Sequence, residues 1–319
     1  MAIGRFIRQV KDDNIEYIVS KIIDDEIESI YQVCERYGLE TDEVRYYDVY
    51  EVELTSGKKV LKKADKREVF NYETYLTSKE LSVPYYYGKY VEQDSFWILT
   101  QYVYGEDLRN MTDELAIASA ECLAQIQNEY WQQNENEFLQ NKTDDRFEIY
   151  WKRVLKRALF VAENSKLRKA YQLFLDRQLV CPRTLSNGDF LQFNVMQEDG
   201  KIKIIDWGFG GIMPYSLDIA RFIAHATKNR CTFPFYMTDE QKELFINSVY
   251  EKLYKKPEYS QYVQDIKLAV LNEYIEFVEA DEDENKWYYN HAIQLADEIL
   301  DERVRNYVIY YETWEDRLE

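Results

Sequence analysis

"LSNGDFLQFNVMQEDGKIKIIDWGFGG", residues 185–211, decides the fold. At its centre Asp199-Gly200 is the dipeptide that best supplies the two positive-φ positions of a two-residue hairpin turn, and strand-forming residues flank it on both sides. Such a loop sets the register: Glu198 faces Lys201, Val195 faces Ile204, Asn194 faces Ile205, and Asp206 lies opposite Phe193. Asn194 and Asp206 therefore return to the same open end of the hairpin. A carboxamide oxygen beside a carboxylate suits a hard divalent cation such as Mg²⁺, whose remaining ligands are waters and substrate phosphates. Asp189 stands shortly before Asn194, where Asn187 and Gly188 predict a loop. A loop carboxylate at such an end can orient an attacking hydroxyl or take its proton. Singly, each of these residues is ordinary loop punctuation. Together they outline a site for phosphoryl transfer.

Outward from this stretch, "DNIEYIVSKIIDDE" (13–26) sets Ile15, Ile18, Val19, Ile22 and Ile23 at helical spacing, which predicts that an amphipathic helix opens the chain. Residues 28–63 predict three strands, "SIYQVCER", "YYDVYEVELT" and "KKVLKKA", with "TSGK" as a hairpin turn before the last. A charged helix follows over 66–80, then strands "YYYGKYVE" and "SFWILTQYVYG" joined by "QDS". From 108 onward helical periodicity prevails, except over 182–211. The chain divides near Gly105 into a β-rich part, 1–105, and a predominantly helical part, 106–319, an α+β protein. "QQNENEFLQNK" (132–142) reads as a polar loop, and "EADEDENK" (279–286) as a solvated loop between two long helices.

Composition narrows the partners. Forty basic against fifty-nine acidic residues give a net charge of −19, which repels phosphate backbones and draws cations. No nucleic-acid partner is expected, and a cationic small molecule is a candidate, the charge otherwise serving solubility. The four cysteines, Cys34, Cys122, Cys181 and Cys231, show no CxxC spacing and suit buried free thiols. "MAIGRFIRQVKDD" turns charged before a signal-peptide core develops, and no uncharged run is long enough to span a bilayer. The expectation is a cytoplasmic protein without a membrane partner.

The pattern G-D-x-x-x-x-N, a short hairpin, then I-D-W resembles the aminoglycoside phosphotransferase and choline kinase family. Its members share a protein-kinase-like two-lobed fold and carry H-G-D-x-x-x-x-N followed by I-D-W or I-D-F. The resemblance implies that Asp189 is the catalytic aspartate and that Asn194 and Asp206 hold magnesium. It also implies a β-rich nucleotide-binding lobe, taking ATP or GTP, over a helical lobe with the catalytic loop and the acceptor site. "PYSLDIARFI" (214–223) is similar to the family's D-L-A element, which makes Asp218 a brace for the loop. "KKVLKKADKREVFNYETYL" is similar to its strand lysine and helix glutamate. Lys62, with Lys63 beside it, would then hold the nucleotide phosphates, partnered by Glu68 or, on the same helix, Glu73. "FWILTQYVYGEDL" resembles the linker between lobes, with Gln101 and Val103 at the nucleotide. Three departures stand out. Asn187 replaces the family's loop histidine, "RYGLETDEVRYY" (36–47) holds a single glycine, and Gln127 replaces a second histidine in "CLAQIQNEYW" (122–131).

For the acceptor, Glu273, Glu276 and Glu279 follow one helical flank, with Asp281 to Glu284 just beyond. Such carboxylates could hold a polyamine sugar. Trp287, Tyr288, Tyr289, Tyr307, Tyr310, Tyr311 and Trp314 offer an alternative, an aromatic cage for a quaternary ammonium. The reading is a small-molecule kinase transferring the γ-phosphate to a hydroxyl of a cationic acceptor, aminoglycoside-like first. Choline, ethanolamine or sugar kinases of the same family, and a nucleotide-binding pseudoenzyme, are its alternatives.

Overall fold

A computed structural model describes residues 2–37, 44–77, 79–133, 144–226 and 235–301. The chain forms two compact units: residues 1–106 together with 196–209, and residues 107–195 together with 210–319.

The first unit is built on a six-stranded antiparallel sheet. Its strands are β1 (Ala2–Val10), β2 (Ile27–Tyr37), β3 (Val44–Leu54), β4 (Gly57–Ala64), β5 (Tyr86–Glu92) and β6 (Ser95–Gln101), in the order β1-β2-β3-β4-β6-β5. Helix α1 (Asp13–Ile22) begins where the Asp12 carboxylate accepts the N–H groups of Asn14 and Ile15. It lays Ile15, Ile18 and Val19 against Ile30, Val52, Leu61 and Leu99 of the sheet. The chain does not open on this helix. β1 precedes it and pairs along β2, from Arg5↔Glu35 to Val10↔Ile30. Phe6 and Ile7, on its opposite faces, are both exposed, so β1 carries no one-sided apolar pattern. What holds it is the ladder and cross-strand pairs such as Arg8 with Gln32, 2.8 Å apart. The charged helix predicted after β4 is shorter than expected: α2 (Lys66–Asn71) runs into one wider π turn, Tyr72–Leu76. The hairpin at the heart of the opening stretch, Val195–Glu198 and Lys201–Ile204, is folded around Asp199 (φ 49°) and Gly200 (φ 76°).

The second unit is helical. α3 (Asp113–Tyr130), α4 (Arg146–Phe160) and α5 (Ser165–Val180) lead to a short antiparallel strand pair, Arg183–Ser186 with Gly211–Pro214. α6 (Ser216–Ala224), α7 (Asp239–Lys252), α8 (Tyr259–Glu279) and α9 (Trp287–Leu300) follow. α8 is buried on nearly all sides, among them at Ile266, Ala269, Val270 and Tyr274, and serves as the axis on which α6 and α9 pack. Cys34, Cys122 and Cys181 are buried free thiols, while Cys231 and residues 134–142 of the polar loop lie outside the described residues. Among the described residues no helix is long and apolar enough to cross a membrane.

Candidate active site

The first unit carries a cluster of three charges. Lys62 sits mid-sheet, opposite Val49 of β3 and Ile98 of β6. Strand alternation turns it to the face opposite Leu61, which is buried against α1. Its Nζ lies 2.9 Å from Glu68 Oε2 and 2.8 Å from Asp206 Oδ1. Glu68 arrives there because the Asp65 carboxylate caps α2, accepting the Glu68 N–H at 2.7 Å. Burial pushes the Glu68 carboxyl up. Burial would push Lys62 down, but Glu68 and Asp206 outweigh it and hold the ammonium above its usual range. Between the two pairs left open by the sequence, the geometry selects Lys62 with Glu68. Lys63 faces Asp48 and Glu73 is bound by Lys89 at 2.7 Å.

Asp206 adopts a left-handed backbone, φ 58°. For a residue other than glycine this costs roughly 1–2 kcal/mol and persists only where the surroundings impose it. Here they do: Trp207 is fully buried, its carbonyl accepts Asn71 Nδ2 at 2.8 Å, and its indole N–H donates to the Ile204 carbonyl at 3.1 Å. Gln101 and Val103 are tied locally. The Gln101 side chain accepts the Tyr85 N–H at 3.2 Å, and the Val103 carbonyl accepts the Gly105 N–H at 3.1 Å.

The second unit carries the loop. Asp218, on the first turn of α6, accepts Ser186 Oγ at 2.7 Å and the N–H groups of Asn187 and Gly188 at 2.7 and 3.0 Å. Burial pushes its carboxyl up to about 6 despite these donors. Asn187 Oδ1 accepts the Asp189 N–H at 3.2 Å. The amide thus braces the loop at the position where a histidine was expected. Gln127, the second departure, donates to the Tyr215 carbonyl at 2.8 Å from a buried position. Asn194 directs its NH₂ at Asp189, 2.9 Å from the carbonyl and 3.0 Å from Oδ2. Its amide nitrogen is thereby committed to Asp189.

The acidic flank of α8 is paired with arginine. Glu273 is buried and accepts Arg221 Nη1 at 2.7 Å, with His225 Nε2 at 3.1 Å. Glu276 and Glu279 both pair with Arg157. Asp281 is exposed. The aromatic candidates are largely packing residues: Trp287 stacks on His291 at 3.7 Å, and Tyr288 is fully buried. Tyr307, Tyr310, Tyr311 and Trp314 lie outside the described residues. Arg221 and His225 escaped the sequence reading. Arg221 alone had a signal, its position one helical turn beyond Asp218.

Residues 45–242 match the family described as the phosphotransferase enzyme family. No curated protein sequence matches the chain. Among solved structures, the chain is similar to the ethanolamine kinase of Plasmodium vivax, with 15% identity, a TM-score of 0.51 and coverage of 82% of this chain and 76% of that one. The choline kinase of Cryptosporidium parvum Iowa II is 12% identical, with a TM-score of 0.51 and coverage of 94% and 91%. A spectinomycin phosphotransferase in complex with ADP and spectinomycin is 14% identical, with a TM-score of 0.50 and coverage of 94% and 97%. At these identities the likeness concerns the fold, the protein-kinase-like α+β architecture.

Proposed function

The chain belongs to the phosphotransferase enzyme family, and from that premise we propose that it transfers the γ-phosphate of ATP, or of GTP, to a hydroxyl of a small-molecule acceptor. The observation that carries the reading is the ion cluster of Lys62, Glu68 and Asp206, assembled from positions up to 144 residues apart. A buried glutamate that fixes a strand lysine serves nucleotide phosphates better than it serves stability, since buried ion pairs return little net free energy.

In this reading Lys62 holds the nucleotide's phosphates as a point charge. Asp189 accepts a hydrogen bond from the acceptor hydroxyl, orients it for attack and receives its proton. Mg²⁺, when bound, would neutralise charge on the phosphate oxygens. Asp206 and the carbonyl oxygen of Asn194 would hold it, and the donor set fits, because both atoms are oxygens and the Asn194 NH₂ is already committed to Asp189.

The net charge of −19 supports a cationic acceptor, aminoglycoside-like before choline, ethanolamine or a sugar. Glu273 and Glu276 no longer contribute to that argument, being neutralised by arginine. Among the described carboxylates singled out for it, Asp281 and Glu282 stay exposed.

The test is Mg²⁺-dependent nucleoside diphosphate release from ATP and from GTP across aminoglycosides, choline, ethanolamine and neutral sugars, with Asp189→Asn as control. One acceptor class should stimulate release, and the variant should lower turnover by about 10³-fold or more with nucleotide affinity retained. Unchanged turnover in the variant overturns the assignment of Asp189. Stimulation by neutral sugars alone overturns the cationic acceptor.

A further inference from the structure

α6 grips the loop twice. Asp218 pins the backbone at Asn187 and Gly188, and Arg221, three residues on along the same helix face, reaches the Asp189 side chain. Arg221 Nε and Nη2 both donate to Asp189 Oδ1, at 3.1 and 2.8 Å. Its Nη1 donates to Glu273 Oε2 at 2.7 Å, and the guanidinium lies 5.7 Å from the centre of the Phe277 ring. Behind Glu273, His225 meets it at 3.1 Å through Nε2 and the Tyr288 hydroxyl at 2.7 Å through Nδ1. The guanidinium is therefore held from α8, and through His225 from α9, before it touches Asp189.

This arrangement makes the two oxygens of Asp189 unequal. A carboxylate oxygen offers two lone-pair directions. Oδ1 receives two N–H groups from Arg221, while Oδ2 receives one from Asn194. We propose that Arg221 is the positioning residue of the reaction: anchored by Glu273, it fixes the rotamer of Asp189 and leaves Oδ2 as the atom that meets the acceptor hydroxyl. The proposal rests on the phosphotransferase reading above. Lysine could not replace it, because one ammonium cannot give two N–H groups to Asp189 and a third to Glu273 in the fixed fork of a guanidinium.

The test compares wild type, Asp189→Asn, Arg221→Lys and the double variant, using Mg²⁺ and ATP with water as the acceptor probe and ADP release as the readout. Misorienting a base while keeping the positive charge should lower kcat about 10- to 100-fold, with KM for ATP within about twofold. Because Arg221 acts through Asp189, adding Arg221→Lys to Asp189→Asn should lower kcat no further. Wild-type kcat in Arg221→Lys, or a multiplied loss in the double variant, overturns the proposal. Full turnover in Asp189→Asn instead overturns the assignment of Asp189 made above, a separate outcome that takes the proposal with it, and if wild type releases no ADP to water the decision passes to the unfolding comparison. Thermal unfolding of the same four proteins reads the contact without turnover. The loss caused by Arg221→Lys should shrink when Asp189 is already Asn, and equal losses overturn the contact. If Arg221→Lys does not fold, Glu273→Gln keeps the guanidinium and loosens its anchor. It should lower kcat less, and again not at all beside Asp189→Asn; an unchanged kcat overturns the anchoring.

Discussion

Glu273 shows how far a neighbour can outweigh burial. Burial alone would raise its carboxyl, yet Arg221 and His225 bring it down to about 2 from an ordinary value of 4.5. A folded-state value below the unfolded one means the stabilisation is complete above about pH 4.5 and is lost as pH falls towards the depressed value. Glu273→Gln should therefore cost about 3 kcal/mol at neutral pH, and about half of that or less at pH 3. Urea unfolding of both proteins at the two pH values measures the difference, and a gap that does not narrow in acid contradicts the assignment. Asp189, Asn194 and Asp206 could be picked out as candidates because their spacing is a property of the chain itself, whereas Lys62 and Glu68 needed the family resemblance. Arg221 was not, since its partners stand 32 and 52 residues away and only packing joins them.

At the scale of elements, β2 to β6 could be read from runs of β-formers, and the hairpin from Asp199-Gly200, because each signal is local. β1 could not. Both its faces are exposed, so its partner strand, and no periodicity of its own, makes it a strand. The shortening of α2 into a π turn is likewise a matter of packing, with Tyr72 and Tyr75 buried. Gly105 is an element-level constraint of another kind. A Cβ there would lie 1.8 Å from the carbonyl oxygen of Gln197, within the hairpin of the opening stretch. Backbone against backbone leaves no side chain to yield. Gly105→Ala should destabilise by about 1–3 kcal/mol, read as a lowered thermal midpoint. An unchanged midpoint would mean that the two backbones part freely.

For the whole molecule, the −19 field opposes the approach of any nucleotide, so affinity must come from groups within a Debye length, about 8 Å at physiological salt, of the phosphates. Lys62 is the candidate on β4. Mg²⁺ with ATP at about a hundred times its dissociation constant should stabilise the protein by about 2.7 kcal/mol. The gain should diminish with EDTA and vanish at the same concentration in Lys62→Ala; a shift that survives the substitution would place the nucleotide elsewhere. The first unit also borrows residues 196–209 from far along the chain. Asp206 is made 144 residues after Lys62, an interval of about 7–30 s at bacterial and eukaryotic rates of translation. Throughout it the nascent sheet waits without its hairpin. A growing chain of this protein must therefore emerge with one unit unfinished while most of the loop-bearing half is still being synthesised, and stalling between residues 107 and 195 would leave the ribosome holding an incomplete domain, the natural client of a chaperone.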